Sequence, residues 1–487
     1  MKQKLQQLID AAPVFEPPVE DPKAIILKSE DIDVVTAAYV EQSPVEYKYN
    51  SFDGMSIFSK GKYQTVANTE EVRLHIRRFL AKCKILKKKK GYVPLSRKNK
   101  GFISDMIETI CSLPDVHLLP SQKAPCSLDG KLDPVGIIAT NNCLVNATVY
   151  PPETHPITNM FYTHNYLTYD YIAGKVSEIF SKFLVDITVG DLDLIMLLQQ
   201  WAGYLLLSTL KYQKFLLAVG DGSNGKFVFF DTIAAALGKE NVSNVPLARF
   251  IDKHTLFGTY GKMVNMSNEN AKDVEGDVES VIKEYVGCDK MLWEQKYKDP
   301  FFAYPTAKLM FATNDLPRIR DHSDGIWRRM ILVPFKAKFE GDQIDRDLGR
   351  KLQQPGELAG VLNWMIEGAR MLEDMGGFIE PDAAKKALDE YRNESDSARL
   401  FAMENLESCP INDSVQIPCR LLHRWYQEWC KEGNFRPKNQ THFGRTINAI
   451  YPVQKSRPWI NGKKVNVYLG MVPQAGSDVE AKLAEWT

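Results

Sequence analysis

The feature that most constrains the fold is an apolar run, residues 215–219, that leads into a glycine-rich loop and then into a helical segment. Glycines let backbone N–H groups close around an oxyanion, and the N-terminus of the following helix adds a favourable potential. A strand, a loop and a helix in this order predict a phosphate-binding loop (P-loop) in an α/β fold. The nucleotide-binding residues predicted from this pattern are consecutive: Gly220, Asp221, Gly222, Ser223, Asn224, Gly225, Lys226 and Phe227.

Position 227 departs from the P-loop pattern. Serine or threonine is expected there because its hydroxyl completes the coordination of Mg²⁺, whereas this chain has Phe227. The preceding Lys226 would still reach the outer phosphates. The alternative is that Phe227 packs with Phe229 and Phe230 and that the loop binds no nucleotide.

Three further apolar runs, residues 263–266, 308–312 and 331–333, are separated by helix-length or loop-rich segments. Such runs are typical of a parallel sheet covered by helices. Dense helical patterning precedes the sheet in residues 169–210 and returns in residues 348–391. We therefore predict an α/β core flanked by helices.

Polar residues stand where the predicted strands end. Glu269 follows the second run, and a carboxylate beside a P-loop can hold Mg²⁺ and polarise the attacking water. Asn314 follows the third run and could orient that water. Arg328 and Arg329 precede the last run, and one of them could be an arginine finger for a neighbouring subunit. The alternatives are a surface glutamate, a turn asparagine and two salt-bridging arginines.

Six motifs in a fixed order resemble the helicase portion of the phage and plasmid primase-helicase family, in superfamily III of the AAA+ helicases. The resemblance covers residues from about 141 to 470. Its motifs are Gly-Asp-Gly-Ser-Asn-Gly-Lys (220–226), Ile-Lys-Glu-Tyr-Val-Gly-Cys-Asp-Lys (282–290), Phe-Ala-Tyr-Pro-Thr-Ala-Lys (302–308), Ala-Thr-Asn-Asp-Leu-Pro (312–317), Asp-Gly-Ile-Trp-Arg-Arg (324–329) and Gly-Val-Leu-Asn-Trp-Met-Ile-Glu-Gly (360–368).

The resemblance implies a hexameric ring with ATP and Mg²⁺ between subunits and a central hairpin that grips single-stranded or forked DNA. It also implies a helical collar before the motor and a winged-helix tail after it. A loop-like, proline-containing stretch at residues 120–134 marks the first boundary. The predicted domains are an N-terminal domain with a basic segment (1–135), a helical collar (136–210), an AAA+ P-loop motor (211–400) and a winged-helix-like domain (401–487).

The chain departs from this family at three places. Phe227 replaces the hydroxyl residue, and Cys288 stands where a second glycine is usual. Only about 140 residues precede the resemblance, and they lack the metal-binding acid and histidine constellation of the family's primase domain. Asp31 and Asp33 are interpreted as a helix start. We therefore expect no primase activity, which would leave priming to a separate primase or initiator protein.

Two lysine-containing segments are candidate DNA contacts. Residues 289–299 match the position of the family's pore hairpin, where Lys296 and Lys298 could bind phosphates while Trp293 or Tyr297 packs or stacks. Residues 73–100 contain no acidic residue, although the whole chain balances 61 basic against 61 acidic residues. This asymmetry favours DNA binding at its densest lysine run, and a solvated surface is the alternative for both segments. That run is Lys87, Lys88, Lys89 and Lys90.

Apolar residues in the basic segment recur at helical spacing, which predicts an amphipathic helix docked by its apolar face. These residues are Val72, Ile76, Phe79, Leu80 and Cys83.

The remaining composition excludes several classes. The eight cysteines are scattered without zinc-finger spacing, which indicates reduced structural thiols. No signal peptide or membrane-length apolar run is present, so the expected location is the cytoplasm of a bacterial host cell, with no membrane partner.

The predicted function is an ATP-dependent DNA helicase or translocase acting in replication of a phage, plasmid or other mobile element. The alternative is a DNA-binding ring with a loading or regulatory role, whose hydrolysis is impaired because of Phe227. A signalling ATPase without a DNA role is disfavoured by the hairpin and the basic segment.

Overall fold

The computed structural model describes residues 24–486 apart from residues 44, 60, 67–68, 88–90, 270–277, 297, 318, 320–323, 412–414, 434, 436 and 461. The side chains of residues 269, 324, 342 and 484–486 are also outside the description. Lys88, Lys89, Lys90 and Tyr297 therefore lie outside the described residues, as does the side chain of Glu269.

The N-terminal part consists of two small sheets and three helices around one core. Their order in the sequence is β1 (Ile25–Leu27), α1 (Ile32–Gln42), β2 (Glu46–Asn50), β3 (Gly54–Ser59), β4 (Lys62–Thr65), α2 (Glu70–Lys82), β5 (Cys83–Lys87), β6 (Gly91–Pro94) and α3 (Lys100–Ser112). Asp31 caps α1 by accepting a hydrogen bond from the Asp33 amide, which confirms the predicted helix start. Helix α2 buries Val72, Ile76 and Leu80, as its amphipathic pattern predicts.

Short strands and two helices connect this part to the central sheet. They are β7 (Cys126–Ser127), β8 (Ile137–Ala139), β9 (Leu144–Asn146), β10 (Glu153–His155), β11 (Phe161–Tyr162), α4 (Glu178–Thr188) and α5 (Leu192–Leu206). The helical patterning predicted for residues 169–210 is therefore realised from residue 178 onward. Strands β8 to β10 form an antiparallel sheet in the first half of the proposed collar. Its status as a separate collar stays a prediction.

A five-stranded parallel sheet forms the centre, in the order β13-β14-β17-β12-β18. The strands and intervening elements are β12 (Phe215–Val219), α6 (Lys226–Leu237), β13 (Val242–Ser243), α7 (Lys253–Leu256), β14 (Val264–Glu269), α8 (Val278–Val286), β15 (Met291–Trp293), β16 (Phe301–Ala303), β17 (Lys308–Thr313), α9 (Asp324–Trp327) and β18 (Met330–Pro334). The four predicted apolar runs are all strands of this sheet. The predicted α/β core is thereby confirmed.

Helices cover both faces of the sheet. After β18 the chain continues with four helices, which are α10 (Leu348–Leu352), α11 (Pro355–Met375), α12 (Asp382–Ser395) and α13 (Ser397–Asn405). Helices α4, α5, α6 and α11 share one core with one face of the sheet, and α8 and Tyr391 of α12 pack on the other. Both faces are therefore apolar, as in parallel sheets generally.

Helices α5 and α11 cross at glycines. A Cβ placed on Gly368 would lie 1.9 Å from the Gln199 carbonyl oxygen, and one on Gly203 would lie 2.0 Å from the Ala369 nitrogen. Glycine is needed here because two helix backbones touch.

We expect Gly368→Ala to lower the free energy of unfolding by about 2 kcal/mol, because the two backbones must separate. Gly356→Ala in the first turn of the same helix is the control, since its Cβ meets no atom within 4 Å. Urea unfolding of both variants measures the difference. Equal stability of the two would contradict the close crossing.

The C-terminal part has its own core. Its elements are β19 (Leu406–Ser408), β20 (Ile417–Pro418), α14 (Cys419–Glu432), α15 (Gln440–Ile450), β21 (Gln454–Ser456), β22 (Trp459–Ile460), β23 (Lys463–Lys464), β24 (Val467–Leu469), β25 (Met471–Pro473) and α16 (Asp478–Trp486). The helix predicted at residues 419–430 is confirmed. The winged-helix assignment stays a prediction. Within the described chain, none of the helices has the length and apolarity needed to cross a membrane.

Candidate nucleotide and DNA sites

The glycine-rich loop joins the carboxyl end of β12 to the first turn of α6. Gly222 and Gly225 have φ values of 99° and 79°, in the left-handed region that favours glycine. A Cβ on Gly220 would lie 2.2 Å from the side-chain Nδ2 of Asn224, and one on Gly225 would lie 2.4 Å from Cγ2 of Ile187. The spacing of these glycines is therefore required by the backbone conformation of the loop.

Lys226 lies buried at the centre of this site. Its Nζ donates to the carbonyl oxygens of Gly220 (3.1 Å) and Thr313 (2.6 Å) and to Oδ1 of Asn314 (3.1 Å). Burial lowers the pKa of Lys226, and the nearby Asp221 carboxylate opposes that shift. The ammonium is thus held between the ends of β12 and β17, where a phosphate would replace neutral oxygens with charged ones.

Asn224 holds the loop in place through hydrogen bonds of its side chain. Its side chain is buried, donates to the Phe335 carbonyl oxygen (3.3 Å) and accepts from the Lys226 amide (3.2 Å). The segment after β18 adds a second tie, because the Phe339 amide donates to the Ser223 carbonyl oxygen at 2.8 Å. The contribution of Phe335 and Phe339 was missed from the sequence, since no motif marks them.

Phe227 points away from the core. It is 46% exposed, whereas Phe229 and Phe230 are buried. Packing of Phe227 with these two rings, one part of the alternative, is therefore wrong, whereas nucleotide binding by the loop stays a prediction. Its ring centroid lies 5.5 Å from Lys226 Nζ, within reach of a cation–π interaction. The position that would supply a magnesium-binding hydroxyl presents an aromatic face instead.

A cavity of about 570 Å³ adjoins the loop. Phe183 of α4, Phe227 and Phe339 line it together with aliphatic side chains from α4 and from residues near α10. Its three aromatic rings suit it to a planar base. The same cavity is also lined by charged side chains, which are Lys182, Asp186, Asp345 and Lys351.

The predicted strand-tip residues converge beside the P-loop. Strands β14 and β17 pair with Glu269 opposite Thr313, which places the Glu269 backbone and Asn314 at the same edge of the sheet. Asn314 contacts Lys226 directly. Phe227 has no oxygen that could bind Mg²⁺. Among the predicted site residues, Glu269 is therefore the one that could provide a carboxylate ligand. A magnesium ion here would depend on water and phosphate for its other ligands.

The two arginines lie at the other end of the sheet, where its strands begin. The Phe215 amide at the start of β12 donates to the Arg329 carbonyl oxygen, whereas the P-loop follows the end of β12. A five-residue strand spans about 16 Å, so the pair is far from the loop of its own chain. Arg328 is exposed, and Arg329 donates to the Gly325 carbonyl oxygen at 2.8 Å. Burial, with the nearby Arg328 charge, lowers the pKa of Arg329.

Strands β15 and β16 form the predicted antiparallel hairpin. Lys296 and Lys298 are exposed in its loop. Trp293 is buried, and its Nε1 donates to the Ala303 carbonyl oxygen at 3.0 Å. Trp293 therefore packs the base of the hairpin and has no free face for stacking on a base.

Helix α7 supports the hairpin loop through an ion pair that the sequence did not reveal. Lys253 contacts Glu294 at 2.8 Å, and His254 lies 3.3 Å from the Glu294 carbonyl oxygen. In the N-terminal part, Lys87 is exposed at the end of β5. The lysine hairpin and the basic segment belong to different parts of the fold.

Cys288 shows why a second glycine is usual at its position. Its φ of 60° lies in the left-handed region, where a side chain adds strain. Apart from the residues outside the description, the chain contains no group of three or more His, Cys, Asp or Glu side chains placed to hold a metal.

The sheet, the loop and the strand tips define the general class: an α/β protein with a P-loop-like parallel core. Two segments also match known families. Residues 218–329 match a family of unknown function (DUF5906), and residues 394–477 match the Poxvirus D5 protein-like family. The first segment contains the whole P-loop (220–227), the hairpin and the arginine pair.

Two viral proteins are similar to part of the chain. "Putative helicase L207/L206" of Acanthamoeba polyphaga mimivirus is 27% identical over 167 residues, covering 31% of this chain and 17% of that protein. "Putative helicase 022R" of Frog virus 3 (isolate Goorha) is 26% identical over 181 residues, covering 33% and 18%. The chain thus aligns with less than a fifth of either relative.

Solved structures extend the likeness to most of the fold. The A form apo structure of the NrS-1 C-terminal region aligns with 91% of this chain and 100% of that chain, with a TM-score of 0.51 and 11% identity. A second A form structure of the same region has a TM-score of 0.50 at 11% identity. At this identity the likeness shows a shared fold alone. The Poxvirus D5 protein-like segment and the two viral relatives support a relationship to D5-like helicases.

Proposed function

We propose that this chain is an ATP-dependent DNA helicase motor of the superfamily III type, acting in replication of a virus or mobile element. The observation that carries the proposal is the contact of Lys226 with Asn314 at the mouth of a glycine loop. This brings a phosphate-binding cation and a water-orienting amide to one point. The names of the viral relatives support the same activity.

ATP would bind with its phosphates at the loop and its base in the aromatic-lined cavity beside Phe227. Mg²⁺, when bound, would neutralise phosphate charge. Lys226 would hold the outer phosphates, Asn314 would orient the attacking water, and Glu269 would accept a proton from that water.

The arginine pair favours an assembly in which neighbouring subunits share ATP sites. Arg328 and Arg329 lie at the sheet edge opposite their own P-loop, so as fingers they would act on the next subunit's phosphates. Exposed apolar side chains on α4 and on the residues that flank it favour contact with a second copy, and Ile179 among them lines the nucleotide cavity. They are Val176, Ile179, Val185, Val189 and Leu192. A hexameric ring would satisfy both features.

Light scattering with an ATP analogue and DNA tests this assembly. A strictly monomeric particle under all such conditions would exclude shared sites.

DNA contacts are proposed at the hairpin lysines and at the basic segment from Lys87 to Lys90. Lysines that neutralise phosphates release counterions, so the affinity should fall steeply with salt. The hairpin would contact DNA in the ring centre, and the basic segment would guide it. A separate primase or initiator would complete the replication machinery.

Replacing both Lys296 and Lys298 with alanine should lower the slope of log affinity against log salt by about 1.4 for single-stranded DNA. Fluorescence anisotropy at several salt concentrations measures this slope. The matched control replaces Lys385 and Lys386, an exposed pair on α12. If both double variants change the slope equally, the hairpin has no special role in DNA binding.

Phe227 favours a second candidate function, a DNA-binding ring with impaired hydrolysis. The missing hydroxyl is the observation behind it. A DNA-stimulated ATP hydrolysis assay paired with nucleotide binding separates the two. Brisk hydrolysis supports the motor, binding without turnover supports the regulatory ring, and absence of nucleotide binding excludes both.

A further inference from the structure

A second cavity lies at the end of the sheet opposite the P-loop, where the strands begin. It has a volume of about 410 Å³ and lies between the N-terminal part, the end of α5 and the base of the hairpin. Among the polar and charged side chains that line it are Asp53, Lys123, His164, Tyr260, Lys262 and Lys308. The proposed ATP mechanism uses none of them.

Lys308 is the most unusual of these residues. It is the first residue of β17, is only 2% exposed, and donates to the Leu207 carbonyl oxygen. Its Nζ lies 5.2 Å from the centroid of the Tyr204 ring. Burial lowers the pKa of Lys308 to about 7, and no carboxylate of the described chain offsets that effect. An ammonium has three N–H donors, so this cation has donors to spare and no countercharge.

Asp53 supplies a complementary acceptor in the same cavity. Its Oδ2 is buried and has no hydrogen-bond partner among the described residues. Burial raises the pKa of Asp53, and the charges of His164 and Lys123 oppose the shift. Lys123 itself has a pKa lowered by burial. The cavity therefore contains the buried ammonium of Lys308, the half-buried Lys123 and one carboxylate oxygen without a hydrogen-bond partner.

We propose that this cavity binds a small phosphate-type oxyanion that also carries a hydroxyl donor. The anionic oxygens would supply the countercharge that Lys308 lacks, because buried charges are normally paired. The hydroxyl would donate to the free oxygen of Asp53. Monohydrogen phosphate and a sugar phosphate share this chemistry, and the cavity lies within the volume range of small-molecule sites.

The site is separate from the nucleotide site. Lys308 begins the strand whose other end leads to Asn314, and Ala303 and Tyr304 at the hairpin base line the same cavity. An anion here would therefore contact the segment between the DNA hairpin and the ATP site. Its binding needs no hydrolysis, so failure of the proposed function would not affect this test.

Calorimetric titration of the full chain with inorganic phosphate and with ribose 5-phosphate tests the proposal. Both titrations use a Lys226→Met background, which removes the main phosphate contact of the P-loop. Adding Lys308→Met should weaken binding at least about tenfold, the loss expected for one charge-assisted hydrogen bond. The tighter of the two probes identifies the free anion or the ester as the ligand type.

Sulfate distinguishes the role of Asp53, because it carries oxyanion charge without a hydroxyl donor. Asp53→Asn should change the ratio of the affinity for phosphate to the affinity for sulfate, whereas Lys308→Met should weaken the binding of both anions. Thermal unfolding of each variant confirms that it folds. Absence of binding in the Lys226→Met chain at millimolar phosphate, or equal binding with and without Lys308, would overturn the proposal and leave a water-filled cavity.

Discussion

Lys308→Met is expected to raise the free energy of unfolding by about 2 kcal/mol at pH 7, because it removes a buried cation that has no countercharge. Methionine retains most of the side-chain length and fills the same space. The variant loses the hydrogen bond to the Leu207 carbonyl oxygen, which offsets part of the gain. Urea unfolding of the two chains measures the difference.

The advantage of the variant should depend on pH. The pKa of Lys308 is about 7 in the folded chain, below its ordinary value of 10.5. Between these two values the unfolded state binds more protons, so the wild-type chain becomes more stable as the pH rises. The difference between variant and wild type should shrink by about 2 kcal/mol from pH 7 to pH 9.

Other titrating groups of the cavity, His164, Tyr260 and Cys288, are present in both chains, so the comparison isolates Lys308. Lys386→Met on the exposed surface of α12 is the control. A stability difference that stays constant across this pH range would show that Lys308 has an ordinary pKa.

Phe227→Ser is expected to raise DNA-stimulated ATP hydrolysis at least about tenfold, or roughly 1.4 kcal/mol of transition-state stabilisation. The serine hydroxyl would give Mg²⁺ a protein ligand beside the phosphates. Because the Phe227 ring is exposed and lies outside the core, its replacement leaves the packing of Phe229 and Phe230 intact. Steady-state turnover with and without DNA measures the effect.

The control combines Phe227→Ser with Lys226→Ala, which should remove the gain. The interpretation of the loop is wrong if turnover does not change and the parent already hydrolyses ATP briskly. In that case Mg²⁺ would be held without the hydroxyl.

The central sheet could be predicted because its information is local. Runs such as Phe215–Val219 are apolar on both faces, which marks a buried parallel strand, and Gly225 and Lys226 mark the turn into a helix. The meeting of Lys226 and Asn314 follows from the rule that carboxyl ends of parallel strands share one edge. These parts required no knowledge of distant contacts.

Other features depend on contacts between residues far apart in the sequence. The direction of Phe227 is decided by how α6 packs, and three phenylalanines within four positions give no sign of which one is exposed. Lys308 looks like an ordinary strand-end lysine until α5 and the hairpin cover it. The short strands of residues 137–162 lack the length for a clear alternating pattern.

The position of Arg328 and Arg329 at the sheet edge opposite the P-loop has a genetic consequence. If fingers act between subunits, a chain with Lys226→Ala and a chain with Arg328→Ala and Arg329→Ala would each be inactive alone. In a mixed assembly, however, some interfaces would join the intact loop of the second chain to the intact arginines of the first. The two inactive chains should therefore complement one another and recover hydrolysis, which no arrangement with self-contained sites allows.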